Sequence, residues 1–409
     1  YCGIGGIVGY ATTKVYINDC NNYGVVDANN FAQVGGIIGL IKSKSNAVSV
    51  GLIENSNNHT TGTIKGGGDV GGIIGRQEDG AYLKVQNNDN SGSIYGIQNV
   101  GGILGRIYQG TSSAINSGEY RDCTNKGSVS AIWNQEANAT PSGIGGCVGA
   151  MPYAGELFTN LINEGELLVD KSVGTKTVTG VGGIVGALGN TSNSNSTFKN
   201  CSNKKDLILN RSDIRINSLG GIAGSMASPA GTALNGCTNY ASVISNDTSV
   251  NVGGIVGALS SGTITACSTQ IPQGSAVPVI QGGQRVGGIA GYVSGVATKV
   301  MSDIKIDPDN ESKQFRATYN TFHVTADKEA GGIVGELAGS AILSVYNTGN
   351  VSVKRVAASE LSNVNSAGGI VGYANDASTL NKGIVINCYS LGRTGWSDTK
   401  AATKDEVCG

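Results

Sequence analysis

Along the chain, apolar residues and glycines recur in one fixed cassette: an apolar residue, Gly-Gly, Ile, a second aliphatic residue, then Gly. The Gly-Gly pairs begin at Gly5, Gly35, Gly71, Gly101, Gly145, Gly182, Gly220, Gly253, Gly287, Gly331 and Gly368, at spacings of 30 to 44 residues. The residue before each pair is apolar, from Ile4 and Val34 to Ala330 and Ala367. The residue after it is Ile in every copy but one, where Cys147 stands. Such a short β-branched run predicts a strand. A constant cassette at variable spacing predicts a constant rung with loops of variable length.

Alternation puts Val34, Gly36 and Ile38 on one side of this strand and Gly35, Ile37 and Gly39 on the other, so both faces carry apolar residues. A strand of that kind is normally covered on both faces. Two arrangements satisfy this. The Gly pair can kink the strand around a corner, turning both apolar residues inward. Alternatively, a second layer packs on the outer face and the glycines let it approach closely. Three glycines exceed what one corner needs, which favours the second layer.

A second element follows each cassette and reads Cys-x-Asn-x-Gly-x-Val. Its fullest copies are Cys20, Asn22, Gly24, Val26 and Cys123, Asn125, Gly127, Val129. Cys237, Asn239, Ala241, Val243 and Val345, Asn347, Gly349, Val351 differ by one change each, and Leu161, Asn163, Gly165, Leu167 keeps the Asn and Gly. Period-two spacing places all four positions on one face, with polar residues between them facing solvent. Asn followed by Gly two residues later suits a bend, because both tolerate positive φ.

One copy cannot bury its apolar face alone, whereas stacked copies can. The expected fold is therefore all-β: a parallel β-helix or β-solenoid of about eleven stacked coils with variable loops. Each coil supplies two or three short strands, and like residues stack in ladders of Ile, Cys and Asn. At roughly 4.8 Å per coil the rod would be about 50 Å long. A single continuous solenoid is expected over 1–392. Residues 393–409 form a C-terminal tail in which Ser397 or Asp398 is suited to cap a short helix over the last coil. The first coil has no equivalent cap and no leader segment, which fits an excised N-terminus or a preceding module.

Composition narrows the function classes. Glycine is extreme at 65 of 409 residues, proline is low at 6, and no Gly-X-Y period exists, which excludes collagen. A hydrophobic share of 39% is too high for a disordered chain. Charged residues make up 14% and the net charge is −1, which offers nothing to a polyphosphate backbone, so nucleic-acid binding is not expected. No apolar run approaches the roughly 18–20 residues of a membrane span, so no membrane insertion is expected of this segment.

Candidate chemistry is sparse. Gly3 to Gly9 loosely matches a dinucleotide-binding loop, but eleven copies with no helix behind them argue against it. Gly5 to Gly9 also matches a G-x-x-x-G helix-pairing motif, without the apolar 20-mer it requires. Of nine cysteines, Cys20, Cys123, Cys201, Cys237, Cys267 and Cys388 share one repeat position and none has C-x-x-C spacing. Buried, reduced core thiols are expected. Stacked Cys201, Cys237 and Cys267 would hold their Cβ atoms near 4.8 Å, outside the ~3.5–4.5 Å of a disulfide. Cys2 and Cys408 lie off this ladder. His59 and His323 belong to no recognisable triad and are expected on the surface. Asp307, Asp309 and Glu311 form a loop acid cluster with oxygen donors for Ca²⁺, but without the glycine turn of an EF-hand. Sequons such as those at Asn190, Asn195 and Asn246 indicate exposed loops. Carboxylates are otherwise scattered, mostly one per loop. No catalytic, cofactor-binding or metal-binding residue is assigned.

The repeated Gly-Gly-Ile-Val-Gly at 182–186, 253–257, 331–335 and 368–372 resembles the GLUG motif of bacterial surface proteins, which more often carries Leu where this chain has Ile. Asn387-Cys388-Tyr389, followed by a Thr/Lys-rich tail with Glu406, is similar to the way such arrays close. The resemblance covers nearly the whole chain. It implies a large secreted, adhesin-like or protease-associated protein, and transfers no catalytic residue.

The expected function is thus a non-enzymatic extracellular module of a cell-surface protein. It would be a rigid solenoid whose loops, above all those within 101–144 and 287–330, bind glycans or host and cell-surface proteins. A first alternative is a filament or sheath subunit that self-associates end to end or laterally. A second is a polysaccharide-active β-helix enzyme, which would need three or more acids, Arg or Lys converging on one groove.

Overall fold

The computed structural model describes the chain except for residues 1, 13, 29–32, 43–48, 79–80, 109–117, 134–138, 152–155, 190–195, 228–231, 296–297, 307–312, 355–364, 376–381 and 398–409. The second coil shows the plan. Five short strands follow one another: Gln33–Gly35, Ile38–Lys42, Ser49–Glu54, Asn57–Asn58 and Thr63–Lys65. Each lies parallel and in register with its counterparts above and below, for example Val34 between Ile4 and Val70, and Ile53 between Ile17 and Val85. The strands thereby build five sheets, numbered 1 to 5 in the order just given. Sheets 1 to 4 each run through eleven coils. Sheet 5 is split into blocks of five and six strands, between Leu167–Val169 and Leu207–Leu209. The expected β-solenoid is the fold, with five strands per coil instead of two or three. The last strand, Thr394–Trp396, pairs with Val351–Val353 and carries sheet 5 beyond residue 392.

The Gly-Gly-Ile cassette is a corner. Sheet 1 ends at the first glycine, the chain bends through Gly36 and Ile37, and sheet 2 begins at Ile38. Inter-coil bonding continues around the bend: Gly36 N–H donates to Gly71, and the N–H groups of Ile37 and Ile38 both donate to Ile73, at 2.9–3.2 Å. The aliphatic residues on either side of the bend serve different interiors. Val34 and its counterparts join Val26, Ile64 and Phe322 in one core, while Ile37, Ile38 and Ile41 join Ile53, Leu83 and the cysteine ladder in another. The separate outer layer favoured from sequence is therefore replaced by a corner with a core on each side.

All three glycines are nevertheless required, each by a different close approach. A Cβ on Gly35 would strike the Ile38 carbonyl and the Gly75 amide of sheet 2. One on Gly39 would strike the backbone of Ile4 in sheet 1 of the preceding coil. One on Gly36 would strike the Gly72 carbonyl and the side chain of Asn58. The two arms of the corner thus lie backbone against backbone, and an asparagine fills the waist between the cores.

The bend expected at Asn and Gly of the second element is present at Gly24, Gly127, Gly165 and Gly349, between sheets 4 and 5, but without positive φ. Positive φ occurs just before the Cys position, at Asp19, Asn55, Asn87, Asp122, Asn160 and Asn200, all near 55°. The ladder asparagines and Gly24, Gly127, Gly165 and Gly349 are not among the positive-φ residues. Gly127 is there for space, since a Cβ would meet the Gly92 carbonyl of the coil below.

Candidate functional site

At the waist, asparagines stack into a directional amide ladder. Asn22 donates from Nδ2 to Oδ1 of Asn58, Asn58 to Asn90, and so on through Asn125, Asn163, Asn203 and Asn239, at 2.7–2.9 Å. Each second N–H turns to a nearby carbonyl, as from Asn163 to Gly165 at 3.1 Å. The Oδ1 of Asn22, Asn163, Asn239, Asn320 and Asn347 also accepts from a backbone amide, Asn163 from Gly165. Four hydrogen-bonding sites are thereby satisfied without water, which is what a buried amide requires. Thr269 interrupts the series and bonds Asn320 at 2.6 Å. Asn320 then donates to Asn347, and Asn347 to Oγ of Ser390 at 3.1 Å.

Beside it runs the expected thiol ladder. Cys2, Cys20, Cys123, Cys147, Cys201, Cys237, Cys267 and Cys388 are all free, and the five from Cys123 to Cys267 are buried. Burial pushes the Cys123 thiol up to about 12. It also raises Cys147, as it does Cys201 and Cys267, on which their shared neighbour Cys237 acts in the same direction. Thiols held protonated in an apolar core are poor nucleophiles. Cys2 is exposed, and Cys408 lies outside the described residues.

The carboxylates are less scattered than the sequence suggests. Arg76 bridges Asp69 across the corner and Glu78 along its own strand, the latter at 3.5 Å. Lys42 of the preceding coil bonds Glu78 at 2.7 Å, and Asn99 bonds Asp69 at 2.6 Å. Asp69 and Glu78 are each 1% exposed. Arg106, one coil on, lies 4.7 Å over the Tyr108 ring. A smaller counterpart near the other end joins Arg285 to Glu336 and, at 3.7 Å, to Glu329, whose carboxyl is raised by burial and by Glu336. These groups neutralise one another inside the notch between sheets 1 and 2. Their chemistry is that of a clamp on the two arms of the corner, in which breaking one partner strands a buried charge.

Glu156 is a different case and was not singled out by sequence. It is 1% exposed, and among the described residues neither carboxylate oxygen has a hydrogen-bond partner. Burial raises its pKa well above the usual carboxylate range. Beside it, Tyr120 donates to Gln77, and burial together with Glu156 raises the phenol. The signal was available: in coils four to eleven the residue before the sheet 3 strand is Gly118, Ser196, Thr232, Gly262, Thr298, Ser340 or Gly383, and an acid stands there only in coil five.

Aromatic rings stack along the axis. Tyr319, Tyr346 and Tyr389 have centroids 4.8 and 5.1 Å apart with planes within 5°. Four of the six ring faces in this stack are spent on one another. His59 stacks on Tyr23 at 4.1 Å, and Nδ1 of His323 accepts from the Asn350 amide at 3.2 Å, so the two histidines are far apart and structurally employed. Among the described residues no three His, Cys, Asp or Glu converge as a metal ion would need. Asp307, Asp309 and Glu311 lie outside the described residues, as do Asn190 and Asn195. Asn246 is 9% exposed with its amide bonded to the Arg211 and Ile214 carbonyls, so its sequon is closed to modification in this conformation.

The two long repeats are long for different reasons. In 101–144 the extra length falls at 109–117 and 134–138, outside the described residues. In 287–330 it includes an antiparallel hairpin, Asp303–Ile306 with Lys313–Arg316, inserted between sheets 3 and 4. Its Arg316 reaches back to Asn235 at 3.1 Å, and Phe315 is 58% exposed. No described helix is long and apolar enough to cross a membrane.

No protein-family model, no curated protein and no solved structure matches this chain.

Proposed function

We propose that this chain is a non-enzymatic extracellular structural and adhesive module of a cell-surface protein, a rigid solenoid displaying loops that bind glycans or host and cell-surface proteins. The observation that carries this reading is the partition of constancy and variation. Sheets 1 to 4 keep register through eleven coils, while the differences in repeat length fall in connections, chiefly between sheets 2 and 3 and between sheets 5 and 1. A scaffold with fixed rungs and free loops suits display. The similarity of the cassette to the GLUG motif of surface proteins points the same way. The densest charged cluster speaks against the polysaccharide-active alternative, because its acids are buried in ion pairs with Arg76 and Lys42.

The test is removal of loops without removal of rungs. Replacing 303–316 and 109–117 by short turns is expected to preserve the β circular-dichroism signal and abolish binding to a glycan array or to whole cells. Undiminished binding by both deletions would overturn the placement of adhesion in these loops.

A further inference from the structure

We propose that Arg106 anchors a carboxylate-binding subsite in the notch between sheets 1 and 2, and that its occupant is an acidic sugar. The inference rests on the glycan-display reading and names the chemistry of the ligand beside one loop.

The repeat supplies its own control. In coil three, Asp69 stands just before the apolar residue of the cassette, and Arg76 follows it by seven residues in sheet 2. The two meet across the notch as an ion pair. In coil four the same two places hold Asn99 and Arg106, and Arg106 stacks in register on Arg76. The guanidinium is thus repeated, while its counter-acid has become an amide. Asn99 carries no charge to neutralise Arg106, and its Nδ2 is already given to Asp69 at 2.6 Å. Among the described residues of this cluster the cations are Lys42, Arg76 and Arg106 and the acids are Asp69 and Glu78. Both acids are engaged by Arg76, and Glu78 by Lys42 as well. One positive charge is left over, and it belongs to Arg106.

The place is prepared for an incoming acceptor. Nε of Arg106 is buried without a hydrogen-bond partner among the described residues, a cost that a bound oxygen would offset. The Arg106 guanidinium lies 4.7 Å from the Tyr108 ring and that of Arg76 lies 5.3 Å from it, so one ring orients both cations. In coil five the places of Asn99 and Arg106 are held by Gly143 and Ala150, which have nothing beyond Cβ to fill the notch. A carboxylate fits the guanidinium fork through two parallel N–H···O bonds.

The surroundings suit a sugar. Gln98, Asn99 and Ser142 bring amides and a hydroxyl to the sheet 1 side, groups that bond sugar hydroxyls. The strand carrying Arg106 ends at Tyr108, where 109–117 begins, one of the two loops proposed to bind. The sequence of that loop contains no Asp or Glu to occupy Arg106. With Asp69 and Glu78 held in ion pairs, the arrangement binds an acidic sugar without the free acids needed to cleave it.

The experiment is calorimetric titration of the full 409-residue chain at low ionic strength. The probes are an oligogalacturonate and a sialylated trisaccharide, each beside its methyl ester, which differs in the carboxylate alone. At least one acid form is expected to bind about tenfold or more tightly than its ester. Arg106→Gln is expected to erase that preference and keep the β circular-dichroism signal. Asn99→Asp, a near-isosteric change, sets a carboxylate opposite Arg106 as in coil three, and should erase the preference with the arginine still in place. Equal binding of acid and ester, or a preference that survives both variants, would overturn the inference and leave the glycan-display reading standing. A glutamate-rich peptide that binds more tightly than either sugar, and loses its affinity in Arg106→Gln, would make the occupant an acidic peptide and overturn the sugar assignment. Binding of none of the sugars, acid or ester, would count against both this inference and the glycan reading.

Discussion

The asparagine ladder and Glu156 are both polar and both buried, and the molecule treats them in opposite ways. Asn163 sits in the waist with its donors and acceptor oxygen all engaged, by Asn125, Asn203 and the Gly165 backbone. Glu156 sits at the margin of the thiol-lined core, with no hydrogen-bond partner for either oxygen among the described residues. The difference teaches that burial of a polar group is neutral information until its partners are counted. A fully satisfied amide rigidifies a stack and fixes its register, while an unsatisfied acid is held neutral at a cost. The ladder also explains the cassette, because in nine of the eleven pairs the second glycine gives up its side chain so that an asparagine can lie against backbone, while Gly254 faces Thr269 and Gly369 faces Ser390.

That comparison can be strained from several directions. The largest effect is expected at the glycine that receives the ladder. Gly183→Ala would place a methyl against the Gly221 carbonyl and Asn203, with backbone on both sides and nowhere to move. A loss of about 3 kcal/mol is expected, read as a collapse of the denaturation midpoint or failure to accumulate folded chain. Next comes Asn163→Ala, which strands the Asn125 amide and the Asn203 oxygen in the waist. A loss of about 2 kcal/mol is expected in chemical denaturation.

Glu156→Gln acts in the other direction and more weakly. The folded chain holds its proton more tightly than the unfolded chain, since burial raises the pKa well above the usual carboxylate range. Its contribution to stability is therefore complete below the unfolded pKa and is lost as pH rises through the window above it. Among the described residues no charged side chain opposes this, and the neighbouring titratable group is the Tyr120 phenol. The wild-type chain should lose more stability than Glu156→Gln between about pH 5 and pH 8, measured by melting curves at each pH. The smallest effect belongs to surface pairs between coils. Lys126 meets Asp89 at 2.6 Å with both groups well exposed, and Lys126→Ala should change stability by less than about 1 kcal/mol.

Much of the fold was legible because it repeats. The cassette spacing marked the rungs, period-two spacing brought Cys20, Asn22 and Val26 inward, and the Cβ separation of stacked strands predicted free thiols at Cys201, Cys237 and Cys267. What misled was treating Val34 to Gly39 as one strand. Alternation assigns faces but not the point where a chain turns, and the turn at Gly36 and Ile37 converts two faces into two cores. Positive φ was likewise misplaced onto the ladder asparagines, because the same residue type serves a left-handed turn at Asn55 and a buried bridge at Asn58. Candidate chemistry was harder to read. Asp69, Arg76 and Glu78 meet through the corner and the coil stacking, neither of which spacing along the chain reveals. Glu156 could have been found by aligning repeats position by position, where it stands alone among glycine, serine and threonine.

One paired measurement tests the central contrast. Glu156→Gln removes an ionisable oxygen from the unsatisfied site, and Asn163→Asp introduces one into the satisfied ladder. The two are near-isosteric swaps in opposite directions. Chemical denaturation of both at neutral pH, beside the wild type, should move the midpoints apart: Glu156→Gln upward, Asn163→Asp downward by the larger amount. A Glu156→Gln chain less stable than wild type, or an Asn163→Asp chain indistinguishable from it, would contradict the account.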